Sequence, residues 1–171
     1  MVKNGIQYFI LTAVCLFLLA GCNREAANDE PVSLPEVACQ PEDVSANPPF
    51  TIAATRTAVP PQTPLADQIE TYYGVSLIEN RLTNTSAFCD LYELADETAA
   101  ADMLHQVCEV SEMTEAEPPA VGEEACALES TGFRQVNFRQ GRVAGTLSAA
   151  LDWLGVGESA GVLKRRLPKR N

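Results

Sequence analysis

Histidine is nearly absent from this chain: His105 is the only one among 171 residues. That scarcity removes most catalytic and metal-binding sets, because imidazole is the commonest metal ligand and the commonest base at a nucleophilic site. Lys and Arg are missing between Arg81 and Arg134, an interval that holds twelve Asp and Glu. The whole chain carries 12 Lys and Arg against 23 Asp and Glu, a formal charge of −11. Such a balance opposes nucleic-acid binding, which relies on clustered cations against phosphate. No cysteines stand at the short paired spacings of a structural zinc site or a C-x-x-C redox centre. The acidic stretch lacks the D-x-[DN]-x-[DN]-G pattern of a calcium loop, and no internal repeat is visible. The sequence therefore calls for no metal, no cofactor and no nucleic-acid partner.

What is present begins with an address. Lys3 and the amino terminus give a small positive start, and Tyr8 to Ala20 form an apolar run broken only by Thr12. That length suits the core of a signal peptide, about 7–15 residues, and falls short of the roughly 20 that span a bilayer. No second apolar stretch of that length follows. The run closes on Leu19-Ala20-Gly21-Cys22, which resembles the lipobox of bacterial lipoproteins: a leucine, two small residues, then the cysteine. The resemblance implies that the Cys22 thiol takes a diacylglyceryl group, that residues 1–21 are cut away, and that the new amine is acylated. Acyl chains at about 0.8 kcal/mol per buried CH₂ hold a protein on a bilayer without spanning it. An ordinary secretory signal is the alternative. The expectation is a membrane-anchored, extracytoplasmic protein, on the outer face of the cell membrane or at the outer membrane.

Of six cysteines, Cys15 leaves with the signal and Cys22 is the lipid site. Cys39, Cys89, Cys108 and Cys126 remain, an even count that in an exported chain points to two disulfides with three possible connectivities. A helix returning across a sheet brings its last turn beside the start of the strand it left. That geometry predicts Cys89–Cys108, and elimination leaves Cys39–Cys126.

Residues 22–64 read as a lipid-anchored, proline-rich tether, with eight of the chain's eleven prolines and Phe50 as the only aromatic, a composition that favours extended chain. Residues 65–171 read as a small domain. Leu65, Ile69, Tyr72 and Tyr73 recur at helical spacing, with Gly74 at the helix end. Val75 to Thr83 and Ala87 to Leu94 read as strands around an Asn84-Thr85-Ser86 turn. Asp96 is an N-cap for a helix to about Val110, with Ala100, Met103, Leu104, Val107 and Cys108 on one side. After an acidic loop from Ser111 to Ala120 come strands near Glu123–Glu129, Phe133–Arg139 and Arg142–Ser148, the last two joined at Gly141. A final helix covers about Glu158–Leu167 and stops at Pro168. The expected fold class is α+β: an antiparallel sheet of about five strands with helices packed on one face. The stretches Cys89-Asp90-Leu91-Tyr92-Glu93-Leu94 and Val136-Asn137-Phe138-Arg139-Gln140-Gly141-Arg142-Val143 resemble a layout found in small exported lipoproteins of unassigned function. That resemblance implies no site.

Gly157-Glu158-Ser159-Ala160-Gly161 matches the G-x-S-x-G elbow of serine hydrolases. In that fold an acid and then a histidine follow the serine, yet none of the twelve residues after Ser159 is His, Asp or Glu. The bland account, a Gly/Ser-rich start to the last helix, is preferred. Asp102, His105 and Glu109 share one helix face by their spacing and read as a solvated surface. Lys164, Arg165, Arg166, Lys169 and Arg170 read as cations at a helix C-terminus, with contact to anionic lipid as the alternative. No catalytic residue is assigned. The expectation is a non-enzymatic module that binds a protein or small ligand at the cell envelope. The alternatives are a serine hydrolase using Ser159 and a structural or assembly subunit of an envelope complex.

Overall fold

A computed structural model of the chain describes residues 32–41, 50–79, 86–109 and 112–150. All of them belong to one compact unit that begins at Val32. The described residues form seven strands: β1 Phe50–Arg56, β2 Ile69–Glu79, β3 Ser86–Leu94, β4 Thr114–Ala116, β5 Glu124–Ser130, β6 Phe133–Gln140 and β7 Val143–Ala150. They form a single sheet in the order β1-β2-β3-β7-β6-β5-β4, antiparallel at every pairing. Two meanders, β1–β3 and β4–β7, therefore meet at the β3–β7 ladder. A one-turn helix, α1 (Leu34–Val37), precedes the sheet, and α2 (Glu97–Glu109) links the meanders.

The α+β expectation is corrected here. Among the described residues α2 is the one helix longer than a turn, and the molecule is β-rich. The stretch from Leu65 to Tyr73, expected to be helical, is a short 3₁₀ turn at Ala66–Gln68 running into β2. Its apolar spacing fits either period, and tertiary pairing decides: Tyr72 sits across from Tyr92 and Tyr73 across from Leu91 on β3. Aromatic and β-branched side chains such as those of Ile69, Thr71, Tyr72 and Tyr73 also fit a pleated surface well. β1 lies inside the stretch read as tether, and β4 inside the stretch read as a loop. The final helix near Glu158–Leu167 falls outside the described residues.

Register separates two faces. Val75, Leu77, Ala87, Cys89, Leu91, Val136, Phe138, Val143 and Leu147 point one way and bury against Leu34, Ala38 and Cys39 of the N-terminal segment. Gly145 leaves the room that Phe138 occupies on this face: a Cβ there would stand 2.8 Å from Phe138 Cε1 and 2.9 Å from Leu91 Cδ2. Tyr72, Tyr92 and Ala144 point the other way and meet Ala99, Ala100 and Met103 of α2. Asp96 caps that helix as expected, accepting the Ala99 N–H at 2.8 Å. Gly141 takes a positive φ of 56° in the β6–β7 turn, where a side chain would be strained.

All four expected cysteines are bridged, but in the other pairing: Cys39–Cys89 and Cys108–Cys126, with Cα separations of 6.1 and 6.3 Å. The expected Cys89–Cys108 bond is ruled out by the faces. Cys89 points toward the N-terminal segment, and α2 lies across the opposite face, where Cys126 of β5 meets Cys108. Disulfides form and persist in oxidising compartments, so the bridges favour an extracytoplasmic setting. No helix among the described residues is long and apolar enough to cross a membrane.

Candidate functional site

α2 packs on β3, β5, β6 and β7. On the same face, toward β1 and β2, a polar and aromatic cluster reaches solvent. Three neighbouring strands build it. Arg56 ends β1, Gly74 faces it on β2, and Asp90 faces Gly74 on β3. Because Gly74 has no side chain, Tyr72 and Asp90 close over it; a Cβ there would sit 2.6 Å from Asp90 Oδ1. The Tyr72 hydroxyl donates to Asp90 Oδ1 at 2.5 Å, and Arg56 Nη2 donates to the same oxygen at 3.0 Å. The Phe88 ring lies 6.0 Å from the Arg56 guanidinium carbon, within range of a cation–π contact. Tyr92 stacks obliquely on Tyr72 with ring centroids 5.1 Å apart.

Burial and a shared carboxylate set the titration of these groups. Burial, aided by the hydrogen bond to Asp90 and its charge, pushes the Tyr72 hydroxyl up to about 12. Burial and then the Asp90 charge push Tyr92 up as well. Burial works against the Arg56 charge, but Asp90 and Tyr72 outweigh it and hold the guanidinium more firmly protonated. The Arg56 side chain is still 41% exposed, and its buried Nε finds no acceptor among the described residues. An accessible cation beside an aromatic ring can receive a carboxylate, a phosphate or a peptide carbonyl.

The residues singled out from sequence are not gathered here. Cys22, Ser159 and the basic C-terminal residues lie outside the described residues. Asp102, His105 and Glu109 are all exposed on the outer side of α2, and no set of metal-binding side chains forms among the described residues. Sequence reasoning passed over Arg56, Tyr72, Phe88 and Asp90. The alternation Phe88, Asp90, Tyr92 along β3 was the available signal, since it puts three polarisable groups on one face.

A second polar group lies where β3 meets the N-terminal segment. The buried Glu93 accepts from Arg142 Nη2 at 2.6 Å and from the Val32 N–H at 3.3 Å, and Arg142 also reaches Glu70 at 3.1 Å. It fastens the segment at Val32 to the sheet through the enclosed Glu93, with Glu70 at the surface, so it serves the fold. No protein family, curated protein or solved structure matches this chain.

Proposed function

We propose that this chain is a bacterial lipoprotein, held at a membrane surface by acyl chains on Cys22, whose sheet binds a protein or small ligand at the cell envelope. It acts by binding and not by chemistry. The observation that carries the binding half is the Arg56–Phe88–Asp90 cluster: charged, aromatic, partly open to solvent, and set on rigid strands. The lipobox residues Leu19-Ala20-Gly21-Cys22 and the two disulfides support the address.

The anchor is tested by metabolic palmitate labelling. Cys22→Ser abolishes the label and leaves uncleaved precursor; labelling that persists in this variant overturns the anchor. The binding half is tested in intact cells with a photo-crosslinking residue in place of Phe88. A discrete adduct that disappears in Arg56→Ala, and is absent with the crosslinker at Glu129, is the expected result. Adducts indifferent to Arg56 refute the site. Stoichiometric labelling of Ser159 by a fluorophosphonate would refute the non-enzymatic reading.

A further inference from the structure

α2 is held at its two ends by different means. Its first half is fixed by packing: Ala99, Ala100 and Met103 are buried against Tyr72, Tyr92 and Ala144, and Asp96 caps the start. The last turn, Gln106–Glu109, buries far less. Gln106 and Glu109 are exposed, and Val107 and Cys108 are only half-buried. The turn carries an acid, Glu109, and no cation, the wrong charge for a helix C-terminus. A helix of 13 residues is marginal in water without packing, and here the packing is incomplete. Leu104 and Val107 stand over a small void that Asn137 and Thr146 line from the sheet. The Cys108–Cys126 bridge fastens this turn to β5.

That bridge also closes a row. From Arg56, Gly74 and Asp90 the row continues into Thr146 of β7, Asn137 of β6 and Cys126 of β5, each the register partner of the one before. At the Arg56 end it reaches solvent; at the other end Asn137 is fully enclosed. The Asn137 side-chain oxygen accepts from Gln135 and Thr146 at 2.8 and 2.9 Å. Its amide N–H donates, among the described residues, only to Cys126 Sγ at 3.5 Å. Sulfur is a weak acceptor, and a buried donor so poorly matched costs stability that water or a ligand oxygen restores. The covered end of the row therefore holds an under-used donor beneath a weakly packed turn.

We infer that Cys108–Cys126 is a redox catch on the last turn of α2, opened by a dithiol. One thiolate of the dithiol attacks a sulfur of the bridge to give a mixed disulfide, and its second thiol resolves it. Two electrons and two protons pass to Cys108 and Cys126, and the dithiol becomes a disulfide. The freed turn leaves the sheet, and the site at Arg56 and Asp90 lengthens to Thr146 and Asn137. Cys39–Cys89, each residue 1% exposed on the opposite face, stays shut and holds the fold. The lengthened site rests on the binding reading of Arg56, whereas the catch does not.

The test is graded dithiothreitol treatment of the purified full chain, followed by alkylation and peptide mapping. It is expected to yield a species with Cys108 and Cys126 alkylated and Cys39–Cys89 intact. In that species amide hydrogen exchange across Gln106–Glu109 rises to the rate of open chain, while Ala99–Met103 and β3 keep their protection. Hydroxyl-radical oxidation of the Leu104 side chain rises as well, because Leu104 and Asn137 border the same void. Cys108→Ser combined with Cys126→Ser gives the same pattern without reductant. Both bridges opening together overturns the inference, as does unchanged exchange across Gln106–Glu109 or unchanged oxidation of Leu104. Protection lost through β3 also overturns it, since the bridge would then be a staple of the whole fold. Arg56→Ala leaves the exchange pattern as it is, so failure of the catch is distinct from failure of the binding site, which the Phe88 adduct reports.

Discussion

The two faces of the sheet are built to different specifications. On one, Cys39 and Cys89 are each 1% exposed and sit among Leu34, Val75, Leu77, Leu91, Leu147 and Phe138; the packing is apolar and closed. On the other, Cys108 and Cys126 are half-buried, and polar groups recur along the strands. Asn137 donates to Cys126 Sγ at 3.5 Å and accepts from Gln135 and Thr146 at 2.8 and 2.9 Å, and Tyr72, Asp90 and Arg56 form their own network. Apolar packing supplies stability without direction, whereas partnered polar groups supply direction at a desolvation cost. The first face therefore holds the fold together, and the second is where specificity can reside.

The strongest way to break this comparison is to remove the bridges one at a time. Replacing Cys39 and Cys89 together by Ala opens a separation of 50 residues, worth about 4 kcal/mol in the chain-entropy account. Replacing Cys108 and Cys126 opens 18 and costs about 3 kcal/mol. Urea denaturation measures both. Graded reduction sharpens the contrast, because the half-buried Cys108–Cys126 bond is expected to open first and the enclosed Cys39–Cys89 bond last. Equal losses and simultaneous reduction would show that the faces do not differ.

Which face a residue occupies was the part the sequence could not convey. Asp96 announced its helix, and the strands near residues 87–94, 123–129, 133–139 and 142–148 were legible from alternation and from Gly141. Those signals are local. Cys89 had a face relative to Ala87 and Leu91, but nothing local says whether α2 returns over that face or the other, and the disulfide pairing turns on that choice. The same non-local decision hid the first half of β2, whose Tyr72 and Tyr73 satisfy a helical period until β3 lies beside them, while its second half from Val75 was legible as a strand. β1 was hidden by composition: Thr51-Ile52-Ala53-Ala54-Thr55 is a good strand set between prolines that suggested a leash. Of the Arg56 cluster only the alternation of Phe88, Asp90 and Tyr92 was legible, since the rest exists only once three strands align.

A smaller effect is expected at Asp90. Asp90→Asn keeps one acceptor but removes the charge that holds Tyr72 and Arg56. With Arg56 partly solvated, the loss is about 1 kcal/mol. The titration is the sharper reading. The Tyr72 pKa of about 12 exceeds the roughly 10 of an unfolded tyrosine, so the folded state binds the proton more tightly. Its contribution to stability is complete below about pH 10 and is lost as pH rises to about 12. In Asp90→Asn that alkaline loss shrinks, and ultraviolet absorbance of tyrosinate shows Tyr72 ionising earlier. An unchanged titration would mean that burial alone sets the value.

The smallest effect is expected at His105, on the side of α2 that faces away from the sheet. His105, Asp102 and Glu109 are exposed, and Ala has a higher helix propensity than His, so His105→Ala should change stability by no more than about 0.5 kcal/mol. One electrostatic link remains to be separated. Glu124 is held below the usual carboxylate range, first by its hydrogen bond to Arg139 and only lastly by the charge of His105. A carboxyl with a depressed folded pKa contributes stability above its unfolded pKa and loses it as pH falls through the folded one. That acid-side loss should therefore follow Arg139, which bonds Glu124 at 2.8 and 3.0 Å, and should barely register His105. Acid titration of His105→Ala beside Arg139→Ala decides it: if the histidine variant moved the Glu124 titration as far as the arginine variant, the outer side of α2 would be an organised site and not a solvated surface.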